Sequence, residues 1–366
     1  MSSSRIGIIG CGNISPVYAS TLSEFPWIEI AAFADGIPER ARQFAERYGG
    51  VAVELTDMLG DDSIDAVVNL TPAHVHTSVS RLCLEAGKPV FSEKPLGTNF
   101  EEGRSLVELA SERGLRLGCA PDTFLGVGLQ AARAAIDRGL IGEPIAANGF
   151  MLGSGPEWWH PNPEGFYGPG AGPLFDMGPY YLTTLVHLLG PARSISGSAK
   201  IGIVERVMHS KGRVGEVVRA TTPTHVSSMI DFVSGASATL VTSFDVKATQ
   251  FRNIEIYGED GTLSLPDPNT FGGPLKFRNI IADDWREIPL SIPSIPQQRG
   301  IGLADMLSAS IANRPHRASA ELALHVLELM SATLQSSDEG RRIDLTTTCQ
   351  QPAPMRFDLP AHTFDD

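Results

Sequence analysis

Gly7-Ile8-Ile9-Gly10-Cys11-Gly12-Asn13-Ile14-Ser15 joins a short apolar run to a proline-led segment close to the start of the chain. Residues 6–9 read as a buried strand, Gly10-Cys11-Gly12 as a tight turn, and residues 16–22 as the start of a helix. A glycine turn between strand and helix aims free backbone N–H groups and the positive end of the helix dipole at one point. That point suits a pyrophosphate. The pattern is G-x-G-x-x-S, with Ser15 where a third small residue lets helix and strand pack closely. Gly10, Gly12, Asn13 and Ile14 are therefore the expected phosphate cradle.

Working outward, residues 28–35 form an apolar run that closes on Asp35. A carboxylate at this interval after the glycine turn bonds the adenosine ribose diol and repels a 2′-phosphate, which predicts NAD rather than NADP. Capping of the helix expected from Pro38 is the other reading of Asp35. The alternation continues with strands at residues 64–70, 89–92 and 115–119 and helices at 77–86 and 100–113. Strands alternating with helices imply crossover units and a parallel sheet, with ligands beyond the strands' carboxyl ends. Thr71-Pro72 and Glu93-Lys94-Pro95 fall at such ends. Lys94, held extended by the proline after it, projects over the expected cleft.

Composition bounds the function classes. The chain has 366 residues, enough for two cores, with 42% hydrophobic and 19% charged residues. A formal net charge of −13 argues against nucleic acid or an anionic membrane as principal partner. No apolar run approaches a membrane span. The first strand begins near Arg5 and leaves no room for a signal peptide. Cys11, Cys83, Cys119 and Cys349 are scattered, without metal-ligand spacing or a disulfide framework. They read as reduced thiols of a cytoplasmic protein, with no metal. Cys11 lies in the glycine turn, either as a reactive thiol or as a small filler.

Together, Gly10-Cys11-Gly12-Asn13-Ile14-Ser15, Thr71-Pro72 with His76, and Ala86-Gly87-Lys88-Pro89-Val90 leading into Glu93-Lys94-Pro95-Leu96 resemble the Gfo/Idh/MocA oxidoreductases, which include glucose–fructose oxidoreductase and inositol dehydrogenase. The resemblance implies that Lys94 is a catalytic-site residue beside the nicotinamide. It also implies that Thr71, Pro72, His76 and Glu93 line the cofactor. The expected architecture is an α/β Rossmann dinucleotide-binding domain with a parallel sheet over residues 1–121. An α+β domain with a large, mostly antiparallel sheet follows over 122–366, for substrate binding and oligomerisation.

In the second part, residues 124–138 read as a helix and 145–152 as a strand. A long Gly-, Pro- and aromatic-rich segment, 153–173, has the content of a binding loop. Its Trp158-Trp159-His160 either stacks on a pyranose and bonds its hydroxyls or anchors the loop. Residues 182–189 have helical core spacing. Asp176 and Tyr180 are four apart, and because Pro179 is tolerated only near a first turn, both are expected at a helix's N-terminal mouth. This segment is similar to the family's D-x-G-x-H, with Tyr180 in the histidine position and Thr183 where a further Asp often stands. Residues 224–232 with 238–244, and 254–263, read as hairpins. Helices are expected at 297–312 and 319–335, and residues 352–366 as a loose tail.

These residues point to hydride transfer between a secondary alcohol and the nicotinamide. Tyr180 is the general base, activated by Lys94 and by the nicotinamide's positive charge, and Asp176 is the orienter. The reverse assignment of Lys94 and Tyr180 stands beside it. The substrate expected from the resemblance and the aromatic loop is a neutral sugar, sugar derivative or cyclic polyol, contacted by Lys94, Trp158, His160, Asp176 and Tyr180. The assembly expected is a homodimer or homotetramer. A redox-neutral, NAD-using glycosidase and a non-catalytic sugar sensor are the alternatives.

Overall fold

A computed structural model describes residues 3–168, 170–251, 253–291, 295–356 and 358–365. Pro169 of the long loop and Phe357 and Asp366 of the tail lie outside the described residues. The chain forms two compact units: residues 1–130, 291–324 and 352–366, and residues 131–290 and 325–351. The second and third segments of the first unit lie beyond the single cut expected at 121/122.

The first unit is built on six parallel strands: β1 (Ser4–Ile9), β2 (Ile28–Ala34), β3 (Val51–Ala52), β4 (Ala66–Asn69), β5 (Val90–Ser92) and β6 (Leu117–Cys119). Their order is β3-β2-β1-β4-β5-β6. The winding reverses between β1 and β4, which makes their carboxyl ends the ligand crevice of a doubly wound sheet. Ile6, Ile8, Val67, Val68, Val90 and Phe91 are fully buried, because helices cover both faces. The helices are α1 (Ser15–Ser23), α2 (Pro38–Tyr48), α3 (Leu55–Gly60), α4 (His76–Glu85) and α5 (Phe100–Glu112). β3 and α3 were not expected: the strand is two residues long and exposed, and the helix is six residues long.

The tail is fixed rather than loose. Phe364 is buried and its ring stacks on Phe25, with centroids 5.9 Å apart, while the Trp27 indole N–H donates to the His362 carbonyl. Arg317, itself buried, pairs with buried Asp305 and with Asp365. These partners lie far along the chain, so no local pattern announces them.

After α6 (Val127–Asp137) come β7 (Pro144–Leu152), α7 (Glu164–Tyr167) and α8 (Gly172–Leu189). Strands β8 (Ala192–Lys200), β9 (Glu205–Val207), β10 (Val217–Arg219), β11 (His225–Phe232) and β12 (Ser237–Ser243) follow. Then come β13 (Asn253–Gly258), β14 (Thr262–Ser264), β15 (Lys276–Arg278), β16 (Arg286–Glu287), α9 (Ile301–Ile311), α10 (Ala320–Glu339) and β17 (Ile343–Asp344). Nine of these strands form one sheet, ordered β16-β15-β14-β13-β7-β12-β11-β8-β17. Only β7 and β12 run parallel, and both expected hairpins form. α8 packs on β7, β11 and β12. It is apolar nearly all round and buried along most of its length. On the opposite face, Met229 and Phe251 are exposed.

The start of α8 differs from expectation. The helix begins at Gly172 and carries Pro179 inside it, so Asp176 and Tyr180 sit in its second and third turns. A proline there removes one i→i−4 hydrogen bond. Burial of almost every neighbouring side chain offsets that loss. Gly172 makes the entry possible: its φ is +88°, and a Cβ would meet the Pro223 carbonyl oxygen at 2.7 Å.

Candidate active site

At the end of β1, Gly10 has φ +92°, and a Cβ there would lie 2.7–2.8 Å from backbone atoms of Leu70 and Thr71. The glycine turn thus lies directly against the turn after β4, in the crevice of the sheet. Gly12 is the opposite case: a Cβ there would meet nothing within 4 Å. Gly12 and Asn13 are exposed and Ile14 is half-buried. No side chain caps α1. Pro16 has no N–H and the Val17 N–H donates to the Ile14 carbonyl at 3.2 Å, so what the helix start offers an anion is its positive dipole end and the glycine-turn backbone before it. Ser15 donates to the Gly12 carbonyl at 2.6 Å and holds the turn against the helix. An open approach before an uncapped helix fits a dinucleotide pyrophosphate.

Asp35 follows β2 and organises this turn. Its Oδ2 accepts from the Cys11 N–H at 2.7 Å and its Oδ1 from the Ile37 N–H at 2.8 Å. The residue capping α2 is Ile37, without a side-chain bond, so Asp35 is not that cap. Cys11 is buried, and burial, with Asp35 adding to it, pushes its thiol up to about 12. It stays protonated at neutral pH and acts as a filler of the turn rather than a nucleophile.

Beyond β4 and β5 the side chains form a buried network. Asn69 is fully buried. Its amide donates to the His76 carbonyl at 3.0 Å and to Ser80 Oγ at 2.9 Å. Its Oδ1 accepts from the N–H and hydroxyl of Thr71 at 3.2 and 2.6 Å. His76, 2% exposed, turns its ring inward. Nε2 lies 2.5 Å from the Thr71 carbonyl oxygen and Nδ1 3.1 Å from that of Pro95. Glu93 is also buried. It accepts from the Tyr18 hydroxyl at 2.7 Å and from the Lys94 N–H at 2.9 Å, so both carboxylate oxygens are engaged within the protein. Lys94 is half-buried at the β5 end. Asn69 and Tyr18 were missed in the sequence, where an Asn at a strand end and a Tyr in a helix carry no distinguishing signal.

In the second unit, Tyr180 is buried and Asp176 half-buried. Their four-residue separation on α8 places them on one face, a turn apart. The aromatic segment is anchored rather than free. Buried Arg206 pairs with buried Glu157 at 3.2 Å and with Asp245, and its guanidinium lies 5.0 Å from the Tyr167 ring centroid. Tyr167 donates to Glu157, and the Glu157 carbonyl accepts from the N–H groups of His209 and Ser210. The next residue, Trp158, stacks on His209 with centroids 3.8 Å apart and planes at 8°. Trp159 is 66% exposed, with His160 and Phe166 edge-on to it. Among the described residues no cluster of His, Cys, Asp and Glu could hold a metal, and no helix is long and apolar enough to cross a membrane.

These features define a dinucleotide-binding Rossmann domain and an α+β domain. Residues 4–120 match the oxidoreductase family GFO_IDH_MocA, NAD-binding Rossmann fold, and residues 129–264 match the GFO/IDH/MocA C-terminal domain. The chain belongs to the Gfo/Idh/MocA oxidoreductase family. It is 34% identical to dTDP-3,4-didehydro-2,6-dideoxy-alpha-D-glucose 3-reductase of Actinomadura kijaniata over 51% of this chain, which is a little over half (56%) of that relative. It is 28% identical to 1,5-anhydro-D-fructose reductase of Ensifer adhaerens, over 71% of this chain and 74% of that protein. The fold matches levoglucosan dehydrogenase in complex with NADH and levoglucosan. The TM-score is 0.80 at 19% identity, over 94% of this chain and all of that one.

Proposed function

We propose that this protein is an NAD-dependent dehydrogenase acting on a secondary alcohol of a sugar, sugar derivative or cyclic polyol. The observation that carries the reading is the open, uncapped approach to α1 at Gly12, with Asp35 bonded into the same turn. The Thr71 and Lys94 turns at the adjacent strand ends add to it. Bound NAD supplies the hydride acceptor. Gly10, Gly12, Asn13 and Ile14 hold its pyrophosphate, Asp35 its adenosine ribose, and Thr71 and Pro72 flank it. Tyr180 takes the hydroxyl proton, Lys94 acts as electrostatic activator or relay, and Asp176 orients the substrate. Trp158 and His160 contribute to sugar recognition from a loop that Glu157 and Arg206 hold in place. The named relatives act on sugars, which supports the substrate class. We place the enzyme in the cytoplasm, as a homodimer or homotetramer assembled through the exposed sheet face around Met229 and Phe251.

The test is NADH absorbance after mixing protein and NAD with pyranoses, anhydrosugars, glycosides and inositols. Sustained NADH formation with one compound is expected, and the Lys94→Met variant loses turnover while still binding NAD. Normal turnover by that variant would sink the assigned roles. Sugar conversion without net NADH would favour a redox-neutral glycosidase.

A further inference from the structure

We propose that His76 is a positioning residue and not a cofactor contact: it joins the turn after β4 to the turn after β5 and thereby sets where Lys94 stands. This rests on the dehydrogenase reading above. The geometry is specific. His76 opens α4 and is 2% exposed, with its ring inserted between two backbone carbonyls. Nε2 is 2.5 Å from the Thr71 oxygen and Nδ1 3.1 Å from the Pro95 oxygen. Thr71 begins the turn against which Gly10 packs, and Pro95 directly follows Lys94. A single side chain therefore spans the two strand ends that a doubly wound sheet turns toward its ligand. Asn69 fixes the backbone on either side of the span, bonding Thr71 and the His76 carbonyl.

A ring with both nitrogens on carbonyl oxygens has no ring donor left for a nucleotide. It also meets a constraint of its own, because neutral imidazole has one N–H and a carbonyl only accepts. Burial lowers the His76 pKa and nearby Lys94 adds to this, while Glu93 and the two carbonyls act against it. The neutral ring places its proton on Nε2, where the contact is shorter, and the Thr71 carbonyl accepts it. Nδ1, without a proton, then faces the Pro95 carbonyl oxygen at 3.1 Å as acceptor to acceptor, a contact that spaces the two turns without a hydrogen bond between them.

The experiment compares His76→Ala and His76→Gln with wild type in NAD affinity, measured by protein fluorescence quenching, and in kcat and KM for the active polyol. His76→Gln keeps a donor at the Nε2 position. His76→Ala is expected to bind NAD within about threefold of wild type and to lose about 10²-fold in kcat, the scale of a misplaced catalytic group. His76→Gln should recover at least tenfold of that loss. Loss of NAD affinity in step with kcat would make His76 a cofactor contact and overturn the proposal, as would an unchanged kcat. Imidazole ¹⁵N spectra of wild type supply a readout that needs neither turnover nor a folded variant. An Nε2-protonated neutral ring is expected, and an Nδ1-protonated ring would overturn the assignment. Absence of turnover by wild type on every polyol would refute the dehydrogenase reading, with NAD affinity and the tautomer still deciding the place of His76.

Discussion

The two glycines of the β1–α1 turn separate folding from cofactor binding. At Gly10, alanine must adopt φ near +92°, which costs a residue with a Cβ about 1–2 kcal/mol. Its methyl must also displace backbone atoms of Leu70 and Thr71 from 2.7–2.8 Å, an overpacking of about 1–3 kcal/mol. The sum, about 2–5 kcal/mol, is a large share of the roughly 5–15 kcal/mol that holds a domain folded. At Gly12 a Cβ meets nothing within 4 Å, so Gly12→Ala should stay within about 0.5 kcal/mol of wild type in stability. Its methyl instead enters the space before the first turn of α1 and should weaken NAD by at least about tenfold, or about 1.4 kcal/mol. Urea titration gives the first quantity, as a lower midpoint at unchanged slope for Gly10→Ala. Fluorescence quenching by NAD gives the second. The reasoning is refuted if Gly12→Ala binds NAD like wild type, or if Gly10→Ala unfolds at the wild-type midpoint.

Three further outcomes are expected. Asp122 is fully buried and accepts from the N–H groups of Gly300 and Gly302 at 2.8 and 3.0 Å, and burial raises its carboxyl from 3.8 to about 6. The folded state therefore binds its proton more tightly than the unfolded state. The stability this gives is complete below about pH 4 and lost as pH rises through about 6, worth up to about 3 kcal/mol. Asp122→Asn should gain on wild type across that window in urea titrations, and a pH-independent difference would contradict this. Arg206→Leu strands buried Glu157, and leaves half-buried Asp245 without its guanidinium, and should cost about 3–5 kcal/mol, with altered Trp158 fluorescence; a loss below about 1 kcal/mol would show the network to be dispensable. Deleting residues 352–366 removes buried Phe364 and the Asp365 partner of Arg317 and should destabilise by at least about 3 kcal/mol, where a loose tail would cost nothing by calorimetry.

Much of the fold was legible because it is written in local periodicity. The alternation of apolar runs and helical spacings from Ile6 to Cys119 gave every strand of the parallel sheet except β3, whose Val51 and Ala52 are too few and too exposed to register. The hairpins at Ser234-Gly235-Ala236 and Gly258-Glu259-Asp260-Gly261 carried their own turn chemistry. What failed to register depends on tertiary burial. Pro179 argued for a late helix start, yet the burial of α8 on the sheet overrides that local preference. The Glu157–Arg206 pair spans 49 residues and the Arg317–Asp365 pair 48, and neither has a sequence signature. The glycine turn at Gly10 and Gly12 and the carboxylate of Asp35 after β2 were readable as local structure, whereas the inward turn of His76 and Glu93 was not. A polar residue at a strand end looks the same whether it faces a ligand or holds the backbone beneath one.

The central claim is hydride transfer from a carbinol carbon to the nicotinamide, and isotopic labelling tests it most directly. The active sugar or polyol, deuterated at its carbinol carbons, is incubated with protein and NAD, and the NADH formed is weighed by mass spectrometry. The account predicts NADH one mass unit heavier than that formed from unlabelled substrate. Product formation with NADH of unchanged mass would contradict it.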